Sequence, residues 1–207
     1  YDRTAAAEGG WRGERAFRVE KKVQESAEIT SFYLVPADGG PVMAPLPGQY
    51  IGLRVAVDGQ EQRRNYSLSA PANGRSLRIS VKRETGGKVS NFLHDRVRAG
   101  DTLAVFPPAG HFTLQHSERP LVLISGGVGI TPTLPMLATA LGADRPVTFI
   151  HCARDRAVRM PPVWFQWALA WAVAVTAWSQ REILRVEGFS IPLGVALVIV
   201  GAIAFTR

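Results

Sequence analysis

Three chemically useful side chains stand close together in the run Arg63-Arg64-Asn65-Tyr66-Ser67-Leu68-Ser69. On an extended strand side chains alternate, so Asn65 and Ser67 point one way while Arg64, Tyr66 and Leu68 point the other. Arg64 offers a planar fork of donors matched to a diphosphate. Tyr66 offers an aromatic face on which an isoalloxazine ring can lie. Ser67 offers a small hydroxyl that can bond the edge of that ring without blocking access to it. Together they are the groups a bound flavin needs. An Arg-x-Tyr-Ser run on a strand also suits the plain surface of a barrel, so the flanking elements decide between the two.

Upstream, Pro47 to Val55 reads PGQYIGLRV, a Pro-Gly turn feeding an alternating strand. Downstream, LRISVKRE (Leu77 to Glu84) is a second alternating strand, followed by GGKVSNFLHDRV (Gly86 to Val97), a glycine turn opening a helix. Backbone N–H groups at a helix start attract phosphate oxygens, and glycine lets a ligand approach closely. LVLISGGVGITP (Leu121 to Pro132) then supplies an apolar strand, a glycine cluster and a helix start at Thr131-Pro132. A lone glycine cluster is weak evidence. Four such elements in this order are strong evidence.

Their order resembles the ferredoxin-NADP reductase-like flavoproteins over roughly Trp11 to Arg159, and among these the flavohaemoglobins, which are nitric oxide dioxygenases. GGWRGERAF (Gly9 to Phe17), EITSFYLVPADGGPV (Glu28 to Val42) and VSNFLHD (Val89 to Asp95) carry the narrower likeness. The resemblance implies an all-β, six-stranded antiparallel FAD-binding barrel followed by an α/β nucleotide-binding domain. It implies that Tyr50, Arg64, Asn65, Tyr66 and Ser67 contact FAD and that Gly87, Val89 and Ser90 form its diphosphate turn. Gly127, Val128, Gly129, Ile130, Thr131 and Pro132 correspond to the loop that binds NAD(P)H. Tyr66 and Ser67 are the two residues expected at the reacting ring. In such proteins electrons pass from NAD(P)H through FAD to haem on a globin domain, where nitric oxide is oxidised. That globin would precede Tyr1, and the chain begins with Tyr rather than Met, which suits a fragment.

Composition narrows the field less. The chain has 207 residues, enough for one large domain or two small ones, and its hydrophobic fraction of 46% suffices for a core. Net charge is +7, but the Lys and Arg residues are scattered, without the basic helix or aromatic-interleaved stripe of a nucleic-acid binder. Cys152 is the only cysteine, which excludes an intrachain disulfide and a four-thiolate iron–sulfur cluster. It ends an apolar strand and reads as a small buried residue. His94, His111, His116 and His151 lack metal-ligand spacing, so no metal site is expected. Ser125 lies outside any Gly-x-Ser-x-Gly elbow, which argues against a hydrolase nucleophile. Lys82 and Arg83 suit either adenosine phosphates or an exposed strand end.

Four regions follow. Residues 1–13 read as a linker at the end of a missing upstream domain. Residues 14–116 form the FAD-binding barrel, with alternation at Ala16–Val23, Thr30–Val35, Tyr50–Val57, Tyr66–Ser69, Leu77–Lys82 and Thr102–Val105. Residues 117–159 form a truncated nucleotide-binding unit: strand Leu121–Ser125, helix Thr131–Leu141, strand Val147–Cys152. After Arg159 the family pattern stops. Residues 160–207 contain two apolar runs, Pro162 to Trp178 and Ile191 to Phe205. Each is slightly short of the about 20 residues that span a bilayer. The tail is expected to be helical and to form a transmembrane hairpin, or else to be a mis-joined sequence or a soluble segment packed on the nucleotide unit. Arg154, Arg156 and Arg159 before the first run would keep the flavin side cytoplasmic. A membrane-tethered reductase for another acceptor, and a catalytically impaired flavin-binding fragment, are the alternative functions.

Overall fold

The computed structural model describes residues 8–152. The tail expected to cross a membrane lies outside them, as do the first residues of the linker. In chain order the elements are β1 (Arg15–Gln24), β2 (Ile29–Pro36), β3 (Tyr50–Val57), β4 (Gln60–Ser67), β5 (Leu77–Lys82), α1 (Lys88–Asp95), β6 (Thr102–Val105), β7 (Leu121–Gly126), a 3-10 turn (Gly127–Gly129), α2 (Ile130–Gly142) and β8 (Val147–Cys152).

The first six strands form one antiparallel sheet in the order β4-β3-β6-β1-β2-β5. Its apolar face is read directly from the alternation: Phe17, Val19, Phe32, Leu34, Ile51, Leu53, Ile79, Val81 and Val105 are all fully buried or nearly so. Each such side chain contributes roughly 1.5–3 kcal/mol by leaving water. The sheet curls, and its two edge strands meet at the isolated Leu68–Ile79 bridge, beside a 2.8 Å bond from the Ser69 N–H to the Arg78 carbonyl. The expected closed barrel is therefore a curled sheet joined at one point. Most of β4 is polar and exposed, so little apolar surface is gained by pairing it further with β5.

β4 is also longer than the alternation at Tyr66–Ser69 suggested. A hairpin at Asp58-Gly59 returns the chain so that Gln60 pairs with Val57 and Ser67 with Tyr50. Trp11, in the stretch read as linker, is buried: its Nε1–H donates to the Val105 carbonyl at 3.0 Å and its ring lies 5.3 Å from that of Phe17.

β7, α2 and β8 make a parallel βαβ unit with Leu121 level with Val147 and Gly126 level with Cys152. Leu134, Met136, Leu137 and Ala140 of α2 pack with Leu123 and Val147, and Ile29 at the start of β2 joins the same cluster. That residue stitches the two units together. The other face of the parallel pair leaves Val122, Ile124 and Ile150 exposed. Cys152 is exposed too, contrary to the buried position expected, because it sits at the strand's very end.

Candidate functional site

β3 and β4 settle which way the motif side chains point. Arg64 stands opposite the buried Leu53, and Tyr66 opposite the buried Ile51. Residues directly opposite on antiparallel strands share a face, so Arg64 and Tyr66 lie on the inner face of the curl. Asn65 and Ser67 lie on the outer face, level with Gly52 and Tyr50. The alternation read from the sequence holds.

Because the edge strands join only near Leu68–Ile79, an opening lies between β4 and β5. The antiparallel register sets what lines it. Outward from the Leu68–Ile79 bridge, β4 carries Ser67, Tyr66 and Arg64 in turn, and β5 carries Ser80 and Val81, with Arg83 just past its end. α1 begins a few residues beyond Arg83. Arg64 and the Gly86-Gly87 turn thus both lie on the open side of the Leu68–Ile79 bridge in chain direction.

The motif groups have few internal partners. The guanidinium of Arg64 donates only to the Arg63 carbonyl at 2.7 Å, and no carboxylate among the described residues pairs with it. Arg63 instead stacks over Phe106, 3.7 Å from the ring centroid. Tyr66 is half-buried against the core, and desolvation pushes its hydroxyl up to about 12 although the nearby Arg64 charge opposes that shift. Tyr50 packs its ring against Gly110, where an added Cβ would stand 2.9 Å from the ring. Gly52 lies beneath the amide oxygen of Asn65.

The turn into α1 is rigid. The Ser90 hydroxyl accepts from the Glu84 N–H at 3.2 Å and donates to the Gly87 carbonyl at 3.3 Å, so this side chain holds the turn in shape. A Cβ at Gly87 would collide with the Ser90 hydroxyl. The first N–H groups of α1, at Lys88, Val89 and Ser90, have no intrahelical partner and are available to an anion. The far end of the helix is pinned by Lys22, whose ammonium donates to the carbonyls of Leu93, His94 and Val97 at 3.2, 2.6 and 2.7 Å. Burial lowers that lysine's pKa. His94 donates through Nε2–H to the Val81 carbonyl at 2.9 Å and accepts at Nδ1 from Thr30, which fixes α1 on β5; burial lowers its pKa. Lys82 pairs with Glu84 and Glu28, and Arg83 with Asp95. Both are engaged at the protein surface, the blander of the two readings offered for them.

The second glycine loop lies against β5. Gly127 has φ +51°, a left-handed value that favours glycine. Gly127 and Gly129 face open space, where an added Cβ would meet nothing within 4 Å. The Thr131 hydroxyl donates to the Val128 carbonyl at 2.9 Å, and Pro132 sits in the first turn of α2, where a missing N–H costs nothing. Behind the loop the Ser125 hydroxyl and His151 Nδ1 are 2.9 Å apart, joining the ends of β7 and β8. The sequence signal for that pair was absent, because its members come from different strands. No group of His, Cys, Asp and Glu among the described residues is arranged to hold a metal.

These features suit a flavin dinucleotide: a guanidinium with no carboxylate partner among the described residues, a glycine turn opening a helix with unused N–H groups, and a half-buried aromatic ring next to the Ser67 hydroxyl. Residues 16–114 match the family model described as an oxidoreductase FAD-binding domain. The FAD/NAD-binding domain of nitric oxide dioxygenase from Vibrio cholerae superposes with a TM-score of 0.72 at 42% identity, covering 80% of this chain and 71% of that one. The chain belongs to the flavohemoprotein family. The flavohemoproteins of Pseudomonas putida and Pseudomonas aeruginosa are 65% identical over 158 residues and 62% identical over 166 residues, which is 76% and 80% of this chain. The chain spans only 40% and 42% of the length of those two relatives.

Proposed function

We propose that the chain is the reductase module of a flavohemoprotein: it holds FAD between β4, β5 and α1 and receives NAD(P)H at the loop after β7. FAD, when bound, accepts electrons as a pair from NAD(P)H and releases them singly to haem. The convergence of both binding loops on β5 carries this reading, because it would bring donor and acceptor to one strand. In it Arg64 and the Val89 and Ser90 N–H groups bind the diphosphate. Tyr66 orients the ring by its aromatic face, and its half-buried side excludes water. The Ser67 hydroxyl bonds the ring edge, with Asn65 and Tyr50 beside it. Gly127 to Pro132 presents N–H groups to the nicotinamide dinucleotide. The acceptor would be haem on a globin domain of the same protein, and the whole assembly would oxidise nitric oxide in the cytoplasm. Nucleic acid has no part in it.

The proposed organisation is an FAD-binding unit over residues 14–116 and an α/β nucleotide unit over 117–159. The apolar composition of residues 160–207 favours a membrane contact for the tail, and hence a second reading as a tethered reductase. The decisive experiment is titration of the purified full chain with FAD, followed by rapid mixing with NADH or NADPH. Saturable quenching of flavin fluorescence followed by bleaching of its absorbance supports the proposal. A chain that takes up no FAD overturns it.

A further inference from the structure

Arg78 is the one arginine of β5 and is only 5% exposed. A buried cation is costly unless paired, yet no carboxylate among the described residues lies within ion-pair distance of it. Its Nε–H donates to the Ser69 hydroxyl at 3.0 Å, its guanidinium carbon lies 5.7 Å from the Tyr33 ring centre, and its buried Nη2 has no hydrogen-bond partner. Around it the hydroxyls of Ser69, Ser80 and Ser31 are linked, at 2.8 Å between Ser69 and Ser80 and 2.7 Å between Ser80 and Ser31. These groups can turn their lone pairs toward the guanidinium but cannot neutralise it. The charge is retained for some other reason.

Its place supplies one. Leu68 points into the core, so Ser67 and Ser69 on either side of it share the opposite face. Successive side chains on one face of a strand are about 7 Å apart. Arg78, bonded to Ser69, therefore lies one pleat from the hydroxyl of Ser67, at the closed end of the opening between β4 and β5. In so buried a place its field is poorly screened.

We infer that Arg78 is a positioning and charge-tuning residue for the flavin: its buried, unpaired guanidinium holds positive potential behind Ser67 and favours the more negative, reduced form of the cofactor. The inference rests on the proposal that FAD occupies this opening. A pair of electrons arriving with one proton leaves the cofactor one charge more negative, so a fixed cation nearby raises its reduction potential.

The test is a spectroelectrochemical titration of the FAD-loaded full chain, alongside its thermal melting without FAD. Arg78→Gln keeps a donor for Ser69 and removes the charge, whereas Arg78→Lys keeps the charge. A more negative midpoint potential in R78Q, with R78K close to the unmodified protein, is the expected result. Melting of R78Q at or above the unmodified temperature supports it further, since an unpaired buried charge has gone. Equal potentials in all three proteins, or equal shifts in R78Q and R78K, would overturn the inference. If R78Q does not fold, Arg78→Met serves as the neutral variant. Failure of both neutral variants to fold, with R78K intact, would assign Arg78 to structure and overturn the inference as well. Lack of FAD uptake by the unmodified chain would sink the flavin reading itself, a separate result.

Discussion

The backbone of Leu68 bridges to Ile79, and at that junction the two edge strands of the curled sheet join. Everything proposed for the flavin depends on it. It closes one end of the opening, buries Leu68, and leaves the strand before it free to present Arg64 and Tyr66. The same junction puts Ser69 against Arg78.

Arg64 should matter to ligand and hardly at all to folding. Its guanidinium has only the Arg63 carbonyl as a partner and lies exposed. Arg64→Ala removes charge-assisted bonds to phosphate, each worth roughly 1.5–3 kcal/mol. FAD affinity measured by fluorescence titration should fall at least about tenfold per bond lost. The melting temperature of the FAD-free chain should stay put. A large drop in stability with unchanged affinity would show that Arg64 is a structural residue.

The two glycine loops should fail in different ways. Gly87→Ala drives a Cβ into the Ser90 hydroxyl and the Glu84 backbone, so the turn itself must shift. FAD binding should weaken with it. Gly127→Ala meets no atom, but forces alanine into a left-handed conformation that costs roughly 1–2 kcal/mol. There the flavin should still bind, while NAD(P)H-dependent bleaching slows in stopped-flow mixing. Equal loss of FAD from both variants would argue against separate roles for the loops.

Strands β3, β5 and β6 are legible in the sequence to the residue, since alternation and glycine or proline turns bound each one, and β8 starts at Val147 as expected after Pro146. The first half of β4 is not. Gln60 to Asn65 is polar throughout, and an edge strand exposed on both faces leaves no periodic signal. Trp11 was missed for the opposite reason: its polar, glycine-rich neighbours read as linker, while its partner Val105 is distant in sequence. Arg78 escaped notice because alternation places it on the outer face of β5. It is buried there by neighbours that only the fold brings near. The chemistry of Arg64 to Ser67 was legible because residue type and period-2 spacing suffice to sort those side chains.

Burial raises the Tyr66 hydroxyl to about 12, so its proton is held more tightly in the folded protein than in the unfolded chain. The stability linked to this group is complete below the ordinary tyrosine value of about 10 and is lost as pH rises from there towards 12. The phenolate absorbance lost on replacing Tyr66 with Phe should be absorbance that rises late, towards pH 12. Tyr66→Phe should flatten the fall in melting temperature across that window while leaving behaviour at neutral pH unchanged. If the Tyr66 hydroxyl ionises near 10 in the native protein, it is more open to water than its packing implies.

The tail gives the last prediction. Pro162 to Trp178 contains no charged residue, nor does Ile191 to Phe205, while Arg181, Glu182, Arg185 and Glu187 lie between them. No helix among the described residues is long and apolar enough to cross a membrane. A hairpin across the bilayer would bury both runs, satisfy the backbone internally and leave the charged stretch in water. The competing destination is the uncovered face of the β7–β8 pair, where Val122, Ile124 and Ile150 are exposed and a parallel sheet is ordinarily covered on both sides. That face offers three apolar side chains to two long apolar runs, too little to bury both. Residues 160–207 fused to a reporter should therefore sediment with membranes and resist alkaline carbonate. A full chain that is soluble and monomeric without detergent, with Ile124→Asp causing it to aggregate, would place the tail on the sheet and end the membrane reading.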